Sequence, residues 1–162
     1  MSQQVSVTSA TPSLALAPDD DALARLAVED AGERARANGA RTAGHVLLID
    51  DEENLVRVAR RLLVQIGYEV SDFCRPSDAL DAFARDPNRY DVLCTDLNMP
   101  GMSGVDLCRA VRQRRPGLPV VIVSGEGLEP FDETGEGPQA FLEKPYNRRT
   151  ISAALAAVLK PR

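Results

Sequence analysis

The sequence predicts an α/β fold: a doubly wound, five-stranded parallel sheet with helices on both faces. From His45 onward, short apolar runs alternate with segments whose apolar residues recur at helical spacing. The run at 120–123 is apolar throughout, which is typical of a strand buried on both faces of a sheet. Five strand–helix repeats fit between residues 46 and 159, the pattern of parallel strands joined by right-handed crossovers.

The first half of this pattern contains two strands and two helices. The first strand spans residues 46–50, an apolar run that ends in an aspartate. Residues 53–66 form the first helix, because their leucine, valine, alanine and isoleucine residues recur every three or four positions, and Gly67 ends it. A second strand at 68–73 is followed by a helix at 76–85, which Asp86-Pro87 ends.

The second half repeats the pattern. The third strand spans residues 91–96 and the next helix spans 104–114. Leu118-Pro119 leads into the fourth strand at 120–124, and the fifth strand at 140–143 precedes a last helix at 147–159. We expect the flavodoxin-like strand order 2-1-3-4-5, which places a ligand site at the carboxyl ends of the strands.

Polar side chains stand at those carboxyl ends. Asp50 and Asp51 end the first strand, Asp96 the third and Ser124 the fourth, and Lys144 directly follows the fifth. Carboxylates gathered at one edge repel each other unless a cation neutralises them, and Mg²⁺ prefers oxygen ligands, so we expect Mg²⁺ with Asp51 and Asp96 as direct carboxylate ligands. A carboxylate can attack phosphorus to give an acyl phosphate, while Mg²⁺, Lys144 and the Ser124 hydroxyl neutralise the transferred group.

Each of these residues also has a simpler interpretation. The aspartates at 50 and 51 could cap the helix that follows, Asp96 could belong to a turn before Met99-Pro100-Gly101, and Ser124-Gly125 is ordinary loop sequence. Lys144 is more informative, because the chain has 17 arginines and two lysines, so a lysine here indicates a need for a compact ammonium. His45, the single histidine, is interpreted as a surface or strand-edge residue before the first strand, without a function.

Composition argues against several classes of function. A formal net charge of -5 disfavours nucleic-acid binding, which needs clustered basic residues. No apolar run approaches the roughly 20 residues that cross a bilayer, so we expect no membrane partner and a cytoplasmic location. The chain has one histidine, which precedes the first strand, so neither a Ser-His-Asp triad nor a two-histidine metal site is expected. Asp96-Leu97-Asn98 lacks the second acid of an aspartate-nucleophile phosphatase. The three cysteines form no CxxC pair and are predicted to be reduced.

Residues 1–44 differ from the rest of the chain. They open with a mixture of serine, threonine, glutamine and proline and continue into alanine-rich charged sequence. We expect a mobile N-terminal arm that carries at most a marginal helix, and one globular domain at 45–162.

Four motifs in this order resemble the receiver domain of bacterial two-component response regulators. They are LLIDDEENL at 47–55, DVLCTDLNMPGMSGVDLC at 91–108, VVIVSGE at 120–126 and FLEKPY at 141–146. The resemblance covers residues 46–159. This segment is similar to single-domain chemotaxis-type regulators and to the receivers of hybrid kinases. It implies that Asp96 is phosphorylated, that Asp51 and Asp96 bind Mg²⁺ directly with the backbone carbonyl of Asn98, and that Asp50 holds the metal through water.

The resemblance also implies a switch. Ser124 matches the switch hydroxyl, Phe141 the switch aromatic, and Lys144 the lysine of the motif, whose bond to Pro145 is typically cis. Asn98 and Glu126 match positions that tune self-dephosphorylation and imply a short-lived phosphoryl state. Residues 126–138 depart from the family pattern: a fourth helix belongs there, but the glycines and prolines make a shortened or mobile segment the expectation.

The function implied is a signalling phosphoacceptor that catalyses only its own phosphorylation and dephosphorylation. It would take phosphate from a sensor histidine kinase or a histidine phosphotransfer protein and signal by a conformational switch to an unknown downstream protein. Because the sequence ends at Arg162, just after the last helix, we expect no output domain after it. Two alternatives stay open: a phosphorelay intermediate that returns phosphate to a histidine phosphotransfer protein, and a phosphorylation-silent interaction module.

Overall fold

A five-stranded parallel sheet forms the centre of the chain in a computed structural model, which describes residues 42–125 and 137–159. The strand order is β2-β1-β3-β4-β5, as predicted. The strands are β1 (His45–Ile49), β2 (Glu69–Phe73), β3 (Val92–Asp96), β4 (Val120–Ser124) and β5 (Ala140–Glu143). The helices are α1 (Glu53–Gln65), α2 (Pro76–Arg85), α3 (Gly104–Arg114) and α4 (Arg148–Val158), with a short 3-10 helix at Pro87–Arg89.

Two apolar layers lie on opposite faces of the sheet because neighbouring side chains along a strand alternate in direction. In β1, Leu47 and Ile49 pack with α2 and α3, whereas Val46 and Leu48 pack with α1 and α4. Every residue of β1, β3 and β4 is buried. Burial on both faces explains why these strands are apolar runs rather than alternating ones.

The register of the strands brings their carboxyl ends into line. Ile49 of β1 lies opposite Thr95 of β3, so Asp50 and Asp96 follow at the same level of the sheet. Asp96 in turn lies opposite Val123, one residue before Ser124. Asp50, Asp96 and Ser124 therefore lie at the carboxyl ends of neighbouring strands, as the sequence predicted.

The helix ends follow ordinary capping chemistry. Gly67 has a positive φ of 94°, which favours glycine, and it ends the turn after α1. The side chain of Asn147 accepts hydrogen bonds from the amides of Arg149 and Thr150 and forms a capping box at the start of α4. The N-cap of α1 is Glu52, without a side-chain cap, so the interpretation of the neighbouring aspartates as capping residues is wrong.

His45 is also placed differently from the prediction. It belongs to β1, an interior strand, and is 6% exposed rather than lying at the surface or before the strand. Its Nε2 lies 2.9 Å from the Ser71 hydroxyl, its backbone amide donates to Asp91 at 2.8 Å, and its ring packs edge-on against Tyr90. These contacts satisfy polar groups that would otherwise be costly to bury, which is why an imidazole is tolerated there.

Two predicted features lie wholly or mostly outside the described residues. The N-terminal arm is one, apart from residues 42–44, and the 126–138 segment is the other, apart from residues 137 and 138. Among the helices that are described, none has the length and apolar character needed to span a membrane.

Candidate functional site

An ammonium group bridges two buried carboxylates at the carboxyl edge of the sheet. Lys144 Nζ lies 2.8 Å from Oδ2 of Asp50 and 2.5 Å from Oδ1 of Asp96. The backbone of Lys144 is held against β4, because its amide donates to the carbonyl of Ser124 at 2.7 Å. The bond from Lys144 to Pro145 is cis, as expected. Residues from three strand ends thus meet at one place.

Each oxygen of the Asp96 carboxylate has its own partner. Oδ1 accepts from Lys144, and Oδ2 accepts from the backbone amide of Asn98 at 2.7 Å. The backbone is held as well: the amide of Leu97 donates to the Val123 carbonyl at 2.8 Å, which continues the sheet by one residue. The Asp96 side chain is therefore oriented before any ligand binds.

Asp50 is held in the same way. Its Oδ1 accepts from the amide of Glu52 at 2.9 Å, and its Oδ2 accepts from Lys144. Asp50 and Asp96 are 4% and 6% exposed, respectively, whereas Asp51 is exposed. Two buried carboxylates share one ammonium, so this edge of the sheet keeps a negative balance.

The charge of Lys144 is secured by its partners. Burial disfavours the charged ammonium, but hydrogen bonds and charge attraction from Asp50 and Asp96 outweigh it and raise the pKa of Lys144. Burial, together with the charge of Asp50, raises the pKa of Cys94 to about 12, and burial likewise raises the pKa of Tyr146. Cys94 therefore remains a neutral thiol behind the carboxylates, and it is not a nucleophile at neutral pH.

The donor set fits a hard divalent cation by its chemistry. This edge of the sheet offers carboxylate oxygens from side chains and a carbonyl oxygen from the backbone, rather than thiolates or imidazoles. Oxygen ligands are the ones that Mg²⁺ prefers. Within residues 42–125 and 137–159, no three or more His, Cys, Asp or Glu side chains are grouped so that they could hold a metal. The expected ligand set combines two direct carboxylates with a backbone carbonyl.

The remaining predicted residues lie around this centre. Ser124 is 1% exposed at the end of β4, and Asn98 is exposed in the loop after β3. Phe141 of β5 is partly buried and packs against the apolar layer that includes Ile122. Glu126 lies outside the described residues.

Sequence reasoning missed two residues near the site. Tyr146 is partly buried beside the apolar layer of α1 and α4, and the charges of Asp50 and Asp96 act on its hydroxyl. Gly104, the first residue of α3, lies against the backbone of Asp96. No local sequence pattern indicates a role for Gly104. Tyr146 could have been noticed, because it is the aromatic residue that ends the FLEKPY motif two positions after Lys144.

Comparison with known proteins places this geometry in a family. Residues 46–156 match the sequence profile of the response regulator receiver domain. Among curated relatives, the sensory transduction protein RegX3 of Mycolicibacterium smegmatis is 34% identical over 117 residues, covering 71% of this chain and 50% of that protein. This chain therefore spans about half the length of that relative.

Solved structures show the same fold. The chemotaxis protein CheY4 of Vibrio cholerae is 29% identical, with a TM-score of 0.65 over 74% of this chain and 100% of that one. The receiver domain from the hybrid histidine kinase CckA is 33% identical, with a TM-score of 0.61 over 72% of this chain and 100% of that one. The matched residues include all of β1 except His45, the strands β2 to β5, and the edge at which Asp50, Asp96 and Lys144 meet. This chain belongs to the response regulator receiver domain family.

Proposed function

We propose that the chain is a phosphoacceptor that takes a phosphoryl group from a phosphohistidine onto the carboxylate of Asp96. The observation that carries the proposal is the contact of 2.5 Å between the carboxylate of Asp96, a residue that is 6% exposed, and the ammonium of Lys144. The donor would be a sensor histidine kinase or a histidine phosphotransfer protein, the class of donor that serves this family.

The chemistry follows from the positions of the side chains. A carboxylate oxygen of Asp96 attacks phosphorus, the bond between phosphorus and the donor's imidazole nitrogen breaks, and the donor histidine leaves with that electron pair and takes up a proton. Lys144 stands where it can neutralise an oxygen of the transferred group, and the amide of Asn98 holds the second carboxylate oxygen. Fixing both groups beforehand lowers the cost of reaching the transition state.

Receiver domains generally bind Mg²⁺ at the phosphorylation site. We propose that Asp51, Asp96 and the backbone carbonyl of Asn98 hold the ion here, with Asp50 reaching it through water. When bound, Mg²⁺ supplies positive charge that neutralises the phosphoryl oxygens. The negative balance of this edge supports the assignment, since the two buried carboxylates of Asp50 and Asp96 share the single ammonium of Lys144.

The output is proposed to be a change of shape rather than of chemistry. Ser124 would move toward the phosphoryl group, and Phe141, which packs against the apolar layer beside Ile122, would follow it inward. This shift of populations would alter the surface near β4 and β5 for a downstream protein. Asn98 and Glu126 would tune self-dephosphorylation and keep the phosphoryl state short-lived.

A phosphorelay role is the second candidate. It is favoured by the 33% identity to a hybrid histidine kinase receiver across the whole length of that receiver. In this role the phosphoryl group on Asp96 would pass to the imidazole of a histidine phosphotransfer protein, which is the reverse of the acceptor step. Adding a histidine phosphotransfer protein to the phosphorylated chain separates the two roles. A relay intermediate would transfer its phosphoryl group to the added protein, whereas a switch would keep the group on Asp96 until it is hydrolysed.

The acceptor step is tested with a small phosphodonor. Purified protein is incubated with acetyl phosphate and Mg²⁺, and the phosphorylated fraction is separated by phosphate-affinity electrophoresis. A phosphorylated fraction is expected in the wild type with Mg²⁺, and it should be absent in Asp96→Asn and in wild type treated with EDTA. Asp78→Asn is the matched control, because Asp78 is an aspartate on α2, 44% exposed and paired with Arg75, away from the site. Equal labelling of Asp96→Asn and wild type would refute the assignment.

A further inference from the structure

The first residue of α3 touches the main chain of the acceptor aspartate. A Cβ atom placed on Gly104 would stand 2.2 Å from the carbonyl oxygen of Asp96, 3.1 Å from its carbonyl carbon and 3.2 Å from Cα of Leu97. All three are backbone atoms, which cannot move aside as a flexible side chain does. Gly104 is not among the glycines with positive φ, so the space, and not the backbone conformation, requires glycine here.

This contact lies inside a set of bonds that fixes Asp96. The amide of Gly104 donates to the carbonyl of Leu97 at 2.8 Å, and the amide of Leu97 donates to Val123 of β4 at 2.8 Å. The Thr95 hydroxyl donates to the Asp96 carbonyl at 3.1 Å. The peptide that follows Asp96 is therefore enclosed between the first turn of α3 and the sheet.

We propose that Gly104 is a positioning residue for phosphoryl acceptance: because it lacks a side chain, α3 can approach closely enough to hold the Asp96 main chain where its carboxylate meets both Lys144 and the Asn98 amide. The proposal rests on the proposed function of Asp96. Gly104 touches no reacting atom and acts through the backbone of its neighbour.

A single methyl group at this position has a defined consequence. Cβ atoms essentially never approach another heavy atom within 3.0 Å, so Gly104→Ala must separate α3 from Asp96 by at least 0.8 Å. The contacts that orient the carboxylate measure 2.5 Å to Lys144 and 2.7 Å to the Asn98 amide, so a displacement of this size that is taken up by Asp96 breaks or misaligns at least one of them. Misplacement of a reacting group by roughly 1 Å lowers a rate by about 100-fold.

The experiment compares alanine at two glycines in the full chain. Gly117→Ala is the matched control: its φ of 81° makes alanine strained there, but nothing lies within 4 Å of the new methyl group. Phosphorylation by acetyl phosphate is measured over a range of donor and Mg²⁺ concentrations and corrected for the folded fraction from circular dichroism. The saturating rate should fall about 100-fold in Gly104→Ala, with half-saturation by the donor little changed, and should stay within about 2-fold in Gly117→Ala.

A second measurement does not depend on phosphorylation. In ¹H–¹⁵N spectra of the unphosphorylated protein, the Asn98 amide, which donates to Asp96, should shift in Gly104→Ala and keep its position in Gly117→Ala. A folded Gly104→Ala protein with the wild-type rate and an unmoved Asn98 resonance overturns the proposal. So does a variant that stays unfolded in stabilising osmolyte, because Gly104 then serves folding alone. If the wild type itself accepts no phosphate, the proposed function fails, while the Asn98 shift still decides whether Gly104 positions Asp96.

Discussion

Replacing Lys144 with methionine tests the charge balance of the site. The substitution keeps an unbranched chain of similar length and removes the ammonium between the buried carboxylates of Asp50 and Asp96. Losing one partner of a buried ion pair costs about 3–5 kcal/mol, because the remaining charge is left without compensation. Since the lysine side chain is itself 19% exposed, water reaches it in part, and we expect the lower end, about 3 kcal/mol.

The assay is urea unfolding at pH 7, followed by circular dichroism, first in EDTA and then with Mg²⁺. In EDTA, Lys144→Met should unfold at lower urea with an unchanged dependence on denaturant. Mg²⁺ should stabilise the variant more than the wild type, since the ion replaces the missing charge, and a concentration 100-fold above its Kd is worth about 2.7 kcal/mol. Lys144→Arg is the control that keeps a positive charge. Equal stability of Lys144→Met and wild type in EDTA would refute the reasoning.

Three further predictions concern the groups around the site and the core. Burial raises the pKa of Cys94 from 9.0 to about 12, so its contribution to stability is full below pH 9 and is lost as the pH rises toward 12. Urea unfolding should show a smaller loss of stability over this alkaline range in Cys94→Ala than in the wild type. Asn147→Ala removes the capping box of α4 and should cost about 1 kcal/mol in the same assay, and an unchanged midpoint would speak against the cap. Phe83→Ala empties a fully buried position and should cost about 3–5 kcal/mol by calorimetry, a result that a cost under about 1 kcal/mol would contradict.

Much of the fold could be predicted because buried strands and helix faces require apolar residues at regular spacings in the sequence. The strands β1, β3 and β4 are buried on both faces, so each appears as an apolar run, and the predicted bounds differ from the observed ones by at most one residue. The convergence of Asp50, Asp96 and Lys144 was predictable as well, since the carboxyl ends of parallel strands meet at one edge.

The errors have a common physical origin in contacts between distant segments. His45 is buried because Ser71 and Asp91, 26 and 46 residues further along the chain, satisfy its polar atoms, and no local pattern reveals such partners. Gly104 resembles any weak helix former at a helix start, and its importance depends on how closely α3 approaches Asp96 in space.

Chemical mapping of the phosphorylated residue tests the central claim most directly. The chain is phosphorylated with acetyl phosphate and Mg²⁺ and reduced with borohydride, which converts an aspartyl phosphate to homoserine, and the peptides are then sequenced by mass spectrometry. The account predicts homoserine at position 96, and its absence when Mg²⁺ is withheld. Homoserine at Asp50 or Asp51 instead, or phosphate on a hydroxyl side chain with Asp96 intact, would contradict it.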